Sequence, residues 1–450
     1  MFSNTYKQKA AQAISLALPM MAGQLGQVLM GVFDNVQIGG LGADYIAACG
    51  FGNNVYWVIN LLGMGVLFSV APLVSEAFGE KNGWKAIGVL RSAVKVSLVV
   101  AVLFTAITYG AIFHLDIFQQ DKVVQDHAFK YLRLLNLGTI ALIFYTCGKQ
   151  FTDGMKKTKV GMVLSLGGLL LNIFLNFLLI NGNWGFPRLG LEGAAIATAS
   201  SRFAMAGCMF LYIWWDKDIR RLRREYNEMG DKSRSFAPEI IKLGVPAGLM
   251  SFFEVAAFCF TQIMSGWLSV NSLASHQIVI GLASATFMVA NGLSGAGTIM
   301  TGYAFGARDK EDVRLSGRVV FQLTIGIMSV FLLLFVALHK VLPLLFTTDP
   351  EVIRISATLF IFAALFQLSD GLQVAAGGAL RGVQDVTFPS TLSLITYWVI
   401  MVPLGYFLAF NTSLGVNGFW LAFIIGLSLS ATLLLLRFRW KVRRLKFTEL

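Results

Sequence analysis

Twelve long apolar stretches, joined by short polar connections, are the feature of this 450-residue sequence that most restricts its fold. Each is at least as long as the roughly 20 residues that a helix needs to cross a bilayer, and several exceed 25, which implies tilt or irregular turns. None shows the short alternating segments of an outer-membrane barrel. The sequence therefore predicts an all-α polytopic membrane protein with twelve transmembrane helices. The approximate bounds of the stretches are 11–38, 46–74, 88–113, 128–148, 160–181, 190–215, 239–265, 273–303, 315–341, 352–380, 387–410 and 416–436.

The distribution of charge supports this class and predicts an orientation. Only 13% of the residues are charged, about half the fraction found in soluble domains. Most of the 36 Lys and Arg residues lie in connections on the same side as the N-terminus, which is the bias of cytoplasmic loops. Both termini are therefore predicted to be cytoplasmic. The run Arg220–Arg224 is interpreted as facing lipid headgroups, and no nucleic-acid partner is expected despite the net charge of +12.

The longest hydrophilic segment divides the chain into halves with six predicted spans each. We expect an N-lobe over 1–215, a cytoplasmic inter-lobe loop over 216–237 and a C-lobe over 238–450. With six spans in each half, corresponding helices point the same way. The sequence therefore predicts two six-helix lobes related by a pseudo-two-fold axis along the membrane normal.

The two halves also resemble each other in sequence. A shift of 227 residues places Pro19 on Pro246 and the Ala-Phe-Gly of 77–79 on the Ala-Phe-Gly of 304–306. These matches fall on turn and packing residues at one constant offset. Duplicated halves with a site between them are typical of transporters that rock between two open states.

Three acidic side chains lie well inside predicted spans: Asp34, Glu254 and Asp370. An ionised carboxylate costs about 2.5–3.5 kcal/mol at the bilayer centre on insertion scales, so such a residue usually faces a cavity or a partner. Cation coupling or substrate binding is the favoured interpretation. A fixed ion pair is the alternative, and Arg202 is the one cation that we identify in the middle of a span.

Polar uncharged residues gather on the fifth and sixth predicted spans. Asn172 and Asn176 are four residues apart and therefore share one face of a helix. Together with Thr198 they could surround a cation beside Asp34. Asparagines at this spacing also serve as hydrogen-bond links between membrane helices, so both interpretations stay open.

Several short motifs along the chain resemble one known family of transporters. They are Pro19 and Asp34 in the first span, Phe-Phe-Glu-Val at 252–255, Gln-Leu-Ser-Asp-Gly-Leu-Gln at 367–373, Leu-Arg-Gly at 380–382, Tyr-Trp at 397–398 and Gly-Phe-Trp at 418–420. Together they resemble the MATE family of multidrug and toxic-compound extrusion transporters, and within it the NorM-like branch. The resemblance covers essentially the whole chain.

The resemblance implies cation-coupled export of amphiphilic, often cationic drugs by alternating access, from a cavity between two lobes. It implies a cation site in the C-lobe formed by Glu254, Asp370, Phe258 and Phe287. It implies a polar cation-binding cluster in the N-lobe formed by Asp34, Asn172, Asn176 and Thr198. The substrate cavity would be lined by Asp34, Gln27, Glu254, Gln367 and Asp370. Some relatives carry a carboxylate where this chain has Asn176, and the missing charge disfavours strong Na⁺ binding in the N-lobe.

The coupling ion stays open between Na⁺ and H⁺ because carboxylates serve both. No catalytic residue, resident metal or other cofactor is expected, and Na⁺ would bind at Glu254 and Asp370. The resemblance further implies a monomer in the bilayer of a bacterial inner membrane, with small drugs as its partners.

Two other functions stay open at this point. A lipid-linked oligosaccharide flippase of the same superfamily would carry several basic residues in its cavity, whereas only Arg202 is a candidate here. An intramembrane aspartyl protease also needs two buried Asp residues, but it would show Gly-x-Gly-Asp, and Asp370 follows Leu-Ser. No ATP-binding loop of the type Gly-x-x-x-x-Gly-Lys-Ser/Thr appears in the sequence. The leading prediction is a secondary transporter and not an enzyme.

Overall fold

The computed structural model describes residues 4–118, 121–228 and 234–445, and helices are the only regular secondary structure within these ranges. The first nine helices are α1 (Asn4–Ile38), α2 (Ala43–Leu67), α3 (Val70–Gly79), α4 (Gly83–Phe113), α5 (Lys122–Leu135), α6 (Gly138–Gly154), α7 (Thr158–Leu179), α8 (Leu191–Trp215) and α9 (Lys217–Glu228). The others are α10 (Ala237–Leu268), α11 (Val270–Gly306), α12 (Lys310–Leu338), α13 (Pro350–Gly382), α14 (Thr387–Leu394), a π-helical segment (Ile395–Met401), α15 (Val402–Phe410) and α16 (Val416–Arg444). Short 3₁₀ turns lie at Gly39–Leu41, Leu115–Phe118, Asn183–Gly185 and Leu342–Leu345.

Contacts between residues divide the chain into two units. The N-unit is Ala22–Gly248, and the C-unit combines Met1–Met21 with Leu249–Leu450. Helices α1 and α10 are continuous across these boundaries, so each contributes one part to either unit. The first part of α10 packs closely on α2 within the N-unit, where a Cβ atom on Gly65 would collide with Gly248.

The helices confirm the predicted class of protein. Within the described residues, eleven helical segments are long and apolar enough to cross a membrane, and α5 with α6 forms a bent pair that counts as a twelfth. The two helices of this pair meet at 47°. Each predicted stretch falls on one of these segments, so the chain is an all-α polytopic membrane protein.

The structure differs from the predicted organisation at four places, the first being the bend between α5 and α6 inside the stretch at 128–148. The stretch at 46–74 is interrupted at Phe68 and Ser69, which separate α2 from α3. The stretch at 387–410 contains the π-helical segment. The connection predicted as a loop at 216–237 instead begins with α9, because this segment is amphipathic and buries Ile219 and Tyr226.

The internal repeat of the sequence corresponds to a repeated turn. Lys81 and Arg308, 227 residues apart, both adopt the left-handed backbone conformation, with φ of 54° and 56°. The residue that follows each of them, Asn82 or Asp309, accepts a hydrogen bond from the backbone N–H three residues further on and so caps the next helix. The same turn therefore precedes α4 in one half and α12 in the other.

Many of the exposed side chains on the spans are apolar. Val99, Leu170 and Leu333 are each about two-thirds exposed, which is the surface expected of helices that face lipid. Polar side chains, in contrast, link helices in the interior. In the C-unit, Ser294 Oγ donates to the Val374 carbonyl at 2.7 Å and so joins α11 to α13, the helix that carries Asp370.

Candidate functional site

Ion pairing separates the buried acidic side chains into two groups. Six are buried in the described part of the chain. Three of them are paired with a base, as Lys85–Glu76 at 2.9 Å, Lys149–Asp153 at 2.9 Å and Arg437–Asp385 at 2.8 Å. Asp34, Glu254 and Asp370 have no Lys, Arg or His partner within 4.0 Å among the described residues. The three acids predicted from the sequence are therefore the three that lack a fixed ion pair.

Asp34 lies in a hydrogen-bonded group of four side chains, which we call the N cluster: Asp34 of α1, Asn172 and Asn176 of α7, and Thr198 of α8. All four are buried. Asn176 Nδ2 donates to Asp34 Oδ1 at 2.6 Å, and Thr198 Oγ1 donates to Asp34 Oδ2 at 3.1 Å. Asn172 Nδ2 in turn donates to Thr198 Oγ1 at 3.1 Å. The structure thus brings together all four residues that the sequence assigned to the N-lobe.

One oxygen atom of the N cluster has no partner. Asn176 Oδ1 is buried and accepts no hydrogen bond within the described residues. Because the amide nitrogens of the cluster point to acceptors, the asparagines act here as donors that compensate the carboxylate of Asp34. The cluster is therefore hydrogen-bonded as expected for a buried anion, with a single spare acceptor.

Arg202 lies four residues after Thr198 on α8 and is buried, with 6% of its surface exposed. Its Nη1 donates to the Tyr56 hydroxyl at 2.7 Å, and its Cζ lies 4.8 Å from the centroid of the Tyr56 ring. Thr139 Oγ1 also donates to the Tyr56 hydroxyl, at 3.0 Å. Arg202 therefore packs on an aromatic ring, and no carboxylate of the described residues forms an ion pair with it.

Glu254 lies in a second buried group, which we call the C cluster: Glu254 of α10, Asp370 and Gln373 of α13, and Tyr397 of the π-helical segment. The Tyr397 hydroxyl lies 3.0 Å from Glu254 Oε1 and 3.0 Å from Gln373 Oε1. Asp370 interacts electrostatically with Glu254, and Asp370 Oδ1 has no hydrogen-bond partner in the described chain. The two acids predicted for the C-lobe therefore belong to one cluster, where both cannot be ionised without repulsion.

The hydrogen of the Tyr397 hydroxyl can be donated to only one of its two neighbours at a time. When Tyr397 donates to Glu254, the Gln373 side chain must present its amide nitrogen instead of its oxygen. Gln373 Nε2 has no hydrogen-bond partner among the described residues, so exchanging the amide oxygen and nitrogen breaks no other hydrogen bond. The hydrogen-bond pattern of the C cluster can therefore follow the charge of Glu254.

The π-helical segment positions Tyr397 against α10. Single π-turns within α-helices are frequent at functional sites. Two neighbouring residues of this segment contact successive residues of α10, because Tyr397 meets the Glu254 carboxylate and Trp398 Nε1 donates to the Phe253 carbonyl at 3.2 Å. The local widening of the helix thus lies where the C cluster requires a fixed side chain.

Aromatic rings enclose one side of the C cluster. The ring of Phe258, one turn after Glu254 on α10, packs edge-on against Tyr397 with centroids 6.1 Å apart and against Phe423 at 4.9 Å. Phe287, the other aromatic predicted for this site, is half-buried on α11.

The glutamines predicted to line the substrate cavity lie in both units. In the C-unit, Gln367 is buried one turn before Asp370, and its Oε1 accepts from Thr286 Oγ1 at 2.8 Å. In the N-unit, Gln27 is half-buried and approaches the Tyr145 hydroxyl, apart from the hydrogen bonds of the N cluster.

Two features of the site were missed in the sequence analysis. The hydroxyl of Tyr397 is the hub of the C cluster, although the sequence marks this residue only as part of a Tyr-Trp motif. Lys149 and Asp153 form a buried ion pair within α6, whereas we interpreted that part of the chain as a connection. The signal available for this pair was the spacing of four residues, which places opposite charges on one helix face.

Two segments of the chain match the same family model, MatE, at residues 19–178 and 246–407. The segments begin 227 residues apart, the offset of the internal repeat, and together they make up most of the chain. The chain belongs to the MatE family. The resemblance to the MATE family is thereby confirmed, and the protein is a membrane transporter and not an enzyme.

Solved structures of MATE proteins share the fold at low sequence identity. A eukaryotic MATE transporter, AtDTX14, matches with a TM-score of 0.86 at 18% identity, covering 98% of both chains. An outward-facing multidrug resistance MATE transporter of the MOP superfamily matches with a TM-score of 0.87 at 21% identity, over 97% of this chain and 96% of that one. A MOP superfamily transporter from Pyrococcus furiosus matches with a TM-score of 0.84 at 21% identity, over 98% of this chain and 97% of that one. The two-lobed MATE fold is thus shared across these proteins.

Proposed function

We propose that this MATE protein is a secondary antiporter, in which Na⁺ or H⁺ enters down its gradient and an amphiphilic, often cationic drug leaves. The observation that carries the proposal is that Asp34, Glu254 and Asp370 form no ion pair within 4.0 Å among the described residues. A buried carboxylate without a counter-charge is costly. A mobile cation, a proton or a cationic drug can supply that charge.

The C cluster is proposed as the coupling site. Oxygen atoms of Glu254 and Gln373 each lie 3.0 Å from the Tyr397 hydroxyl, and Asp370 adds an oxygen that has no hydrogen-bond partner among the described residues. Oxygen atoms are the ligands that Na⁺ and other hard cations prefer, and carboxylates also accept protons. If the ion and a cationic drug neutralise the same carboxylates, their binding is mutually exclusive, which is the thermodynamic requirement for exchange.

The substrate class and the setting are part of the same proposal. One solved structure with this fold is described as a multidrug resistance transporter, which supports multidrug export here. The aromatic rings around Phe258 suit flat, apolar cations. We propose a NorM-like monomer in a bacterial inner membrane with both termini cytoplasmic, in line with the positive charge of its predicted cytoplasmic connections.

The proposal is tested by efflux of a fluorescent cationic dye from proteoliposomes that contain the full chain. A Na⁺ gradient and a pH gradient are imposed separately, and one of them should drive efflux in the wild type. Asp370→Asn and Glu254→Gln should abolish this efflux while the protein stays folded, because neither amide can exchange a cation.

The matched control is Glu351→Gln, which removes an exposed acid from α13, the helix of Asp370. Its pair with Arg354 is on the surface and contributes little, so the control should transport like the wild type. Normal gradient-driven efflux by Asp370→Asn would refute the assignment. Movement of labelled lipid-linked oligosaccharide instead of dye would favour the flippase.

A further inference from the structure

Two arginines of α9 reach back to the end of α8. Arg220 Nη2 donates to the Trp215 carbonyl at 2.9 Å, and Arg223 Nη2 donates to the Ile213 carbonyl at 3.1 Å. Carbonyl oxygens two residues apart in a helix are about 5 Å from each other, so the two guanidinium groups are neighbours. Each guanidinium has five N–H donors and uses one of them within the described residues. The other donors are available to an anion.

Arg91 of α4 joins these two arginines. Its Cζ lies 4.7 Å from the centroid of the Tyr226 ring, and Tyr226 follows Arg223 by three residues on α9. Trp84 of α4 stacks on the same tyrosine ring, with centroids 6.0 Å apart, so aromatic contacts hold α9 against α4. Arg91, Arg220 and Arg223 thus form one set of charges, which we call the arginine group.

Acidic side chains do not neutralise the arginine group. None forms an ion pair with its members within 4.0 Å among the described residues. Three acids of this region pair with other bases instead, namely Asp216 and Asp218 with Lys157, and Glu225 with Arg221. Partial burial lowers the pKa of Arg223, and the positive charges of Arg220 and Arg91 lower it further. Arginine stays protonated near neutral pH even so, and the three like charges repel one another.

The surface of α8 beside the arginine group is apolar. Exposed residues three or four apart form a stripe along this membrane-spanning helix, namely Phe203, Gly207, Leu211 and Trp214. Trp214 and Trp215 are about two-thirds exposed, and tryptophans of membrane proteins concentrate at the level of the lipid headgroups. Arg223 Cζ lies 4.6 Å from the centroid of the Trp214 ring. The stripe therefore leads along α8 to the arginine group.

We infer that the arginine group binds the headgroup of an anionic phospholipid, whose phosphate contacts Arg91, Arg220 and Arg223 and whose acyl chain lies along the stripe of α8. Guanidinium groups hold phosphate oxygens through pairs of parallel N–H···O bonds. The bound phosphate relieves the repulsion between the three charges and so stabilises the contacts of α9 with α4 and α8. A free phosphate ion would meet the same arginines but would leave the stripe uncovered. The inference does not depend on antiport.

The lipid site is more specific than the interpretation of the sequence, which predicted only that the run Arg220–Arg224 faces headgroups. Within this run, Arg220 and Arg223 lie three residues apart and therefore share one face of α9. Arg221 instead pairs with Glu225, so it serves as an internal control for the effect of charge alone.

The test is native mass spectrometry of the full chain in detergent, titrated with phosphatidylglycerol or with phosphatidylcholine, together with thermal unfolding. At its tightest lipid site, the wild type should bind phosphatidylglycerol at least about tenfold more strongly than phosphatidylcholine. Its unfolding temperature should rise with phosphatidylglycerol. Each basic residue contributes about fivefold to the binding of an anionic lipid. Arg91→Gln/Arg220→Gln/Arg223→Gln should therefore weaken this binding by about 100-fold.

The matched control is Arg221→Gln/Arg314→Gln/Arg354→Gln. It removes the same net charge from exposed arginines, each of which pairs with a glutamate of its own helix. The control should keep the wild-type affinity for phosphatidylglycerol. An equal loss of affinity in the control and in the variant of the arginine group would overturn the inference, because net charge alone would then explain the binding.

Two further results would overturn the inference. One is wild-type affinity for phosphatidylglycerol in the variant that lacks the arginine group. The other is an equal rise of the unfolding temperature with inorganic phosphate, which would show an ion site that needs no lipid. If the triple variant does not fold, Arg91→Gln replaces it, because the Arg91 guanidinium donates no hydrogen bond within the described residues. Arg91→Gln should weaken binding about fivefold, and unchanged affinity in this variant would equally refute the site.

Discussion

Burying a carboxylate costs free energy unless a nearby group compensates its charge. The buried acids of this protein differ in which group provides that compensation. Asp34, Glu254 and Asp370 could be found from the sequence because each interrupts a long apolar stretch. Asp153 could not, since it follows the stretch at 128–148 and looks like a residue of a loop. Only the path of α6 shows that Asp153 and its partner Lys149 are buried.

The pair of Lys149 and Asp153 gives a prediction about stability. Asp153→Asn leaves an unpaired buried ammonium group and should destabilise the protein by about 3–5 kcal/mol. The measurement is thermal unfolding of the purified protein in detergent. The double variant Lys149→Met/Asp153→Leu removes both charges and should recover most of the loss. Equal unfolding temperatures for Asp153→Asn and the wild type would contradict the burial of this pair.

Tyr397 gives a prediction about transport. Tyr397→Phe keeps the ring that packs on Phe258 but removes the hydroxyl shared by Glu254 and Gln373. A hydrogen bond to a charged group contributes about 1.5–3 kcal/mol, so ion-driven dye efflux should fall by about tenfold or more with little change in thermal stability. Tyr406→Phe, at a half-exposed tyrosine of α15, is the control. Unchanged efflux in Tyr397→Phe would remove Tyr397 from the coupling site.

At the scale of the elements, the sequence predicted the number and approximate position of the spans but not their irregularities. Apolar length locates a membrane helix, because the bilayer sets that length. A π-turn requires only one extra residue in a helix, and nothing in the composition of Ile395–Met401 marks it. Helix α9 was likewise missed because its sequence is dominated by charge, and its two buried residues, Ile219 and Tyr226, form only a narrow apolar face.

Asp216 attaches α9 to the rest of the N-unit and gives a pH-dependent prediction. Its Oδ1 accepts from the Asp218 and Ile219 backbone N–H groups at 3.1 Å each and from Lys157 Nζ at 2.6 Å. Partial burial alone would raise the pKa of Asp216, but the hydrogen bond from Lys157 and those from the helix outweigh it and hold the pKa below 3.8. Stability from a group with a lowered pKa is present above its unfolded value and is lost as the pH falls through the folded value.

Asp216→Ala should therefore destabilise the protein at neutral pH by about 0.5–2 kcal/mol, the usual cost of losing a helix cap. The stability difference between Asp216→Ala and the wild type should begin to shrink below about pH 4, and it should be lost as the pH falls through the lowered pKa of folded Asp216. Thermal unfolding across this pH range measures it. Asp218→Ala, at a mostly exposed partner of Lys157, serves as the control and should have a smaller effect. If Asp216→Ala lowers the stability by the same amount at every pH, the charge of Asp216 does not hold α9 in place.

The contact between α2 and α10 gives a prediction about packing. A side chain at Gly65 would collide with the backbone of Gly248, so Gly65→Val should force the helices apart and cost about 1–3 kcal/mol. The measurements are the unfolding temperature and the monodisperse fraction on size exclusion. Gly110→Val, at a helix position with open space around it, should leave both unchanged. Equal results for the two variants would show that the close contact is not required.

At the scale of the molecule, the duplication could be read from the sequence, because turn residues such as those after Gly79 and Gly306 recur at one offset. The boundaries between the two units could not be read from the sequence. The hydrophilic segment at 216–237 separates the halves along the chain, whereas the contacts change within α1 and α10. Those helices continue through Pro19 and Pro246, so no break in the sequence pattern marks the boundary.

We propose that drug and ion movements are obligatorily exchanged through buried carboxylates that form no ion pair within 4.0 Å among the described residues. The most direct measurement imposes only a drug gradient across proteoliposomes and follows Na⁺ and H⁺ flux. For the wild type we predict ion movement opposite to the drug, and for Asp370→Asn none. Drug movement by the wild type without any counter-movement of Na⁺ or H⁺ would contradict the account.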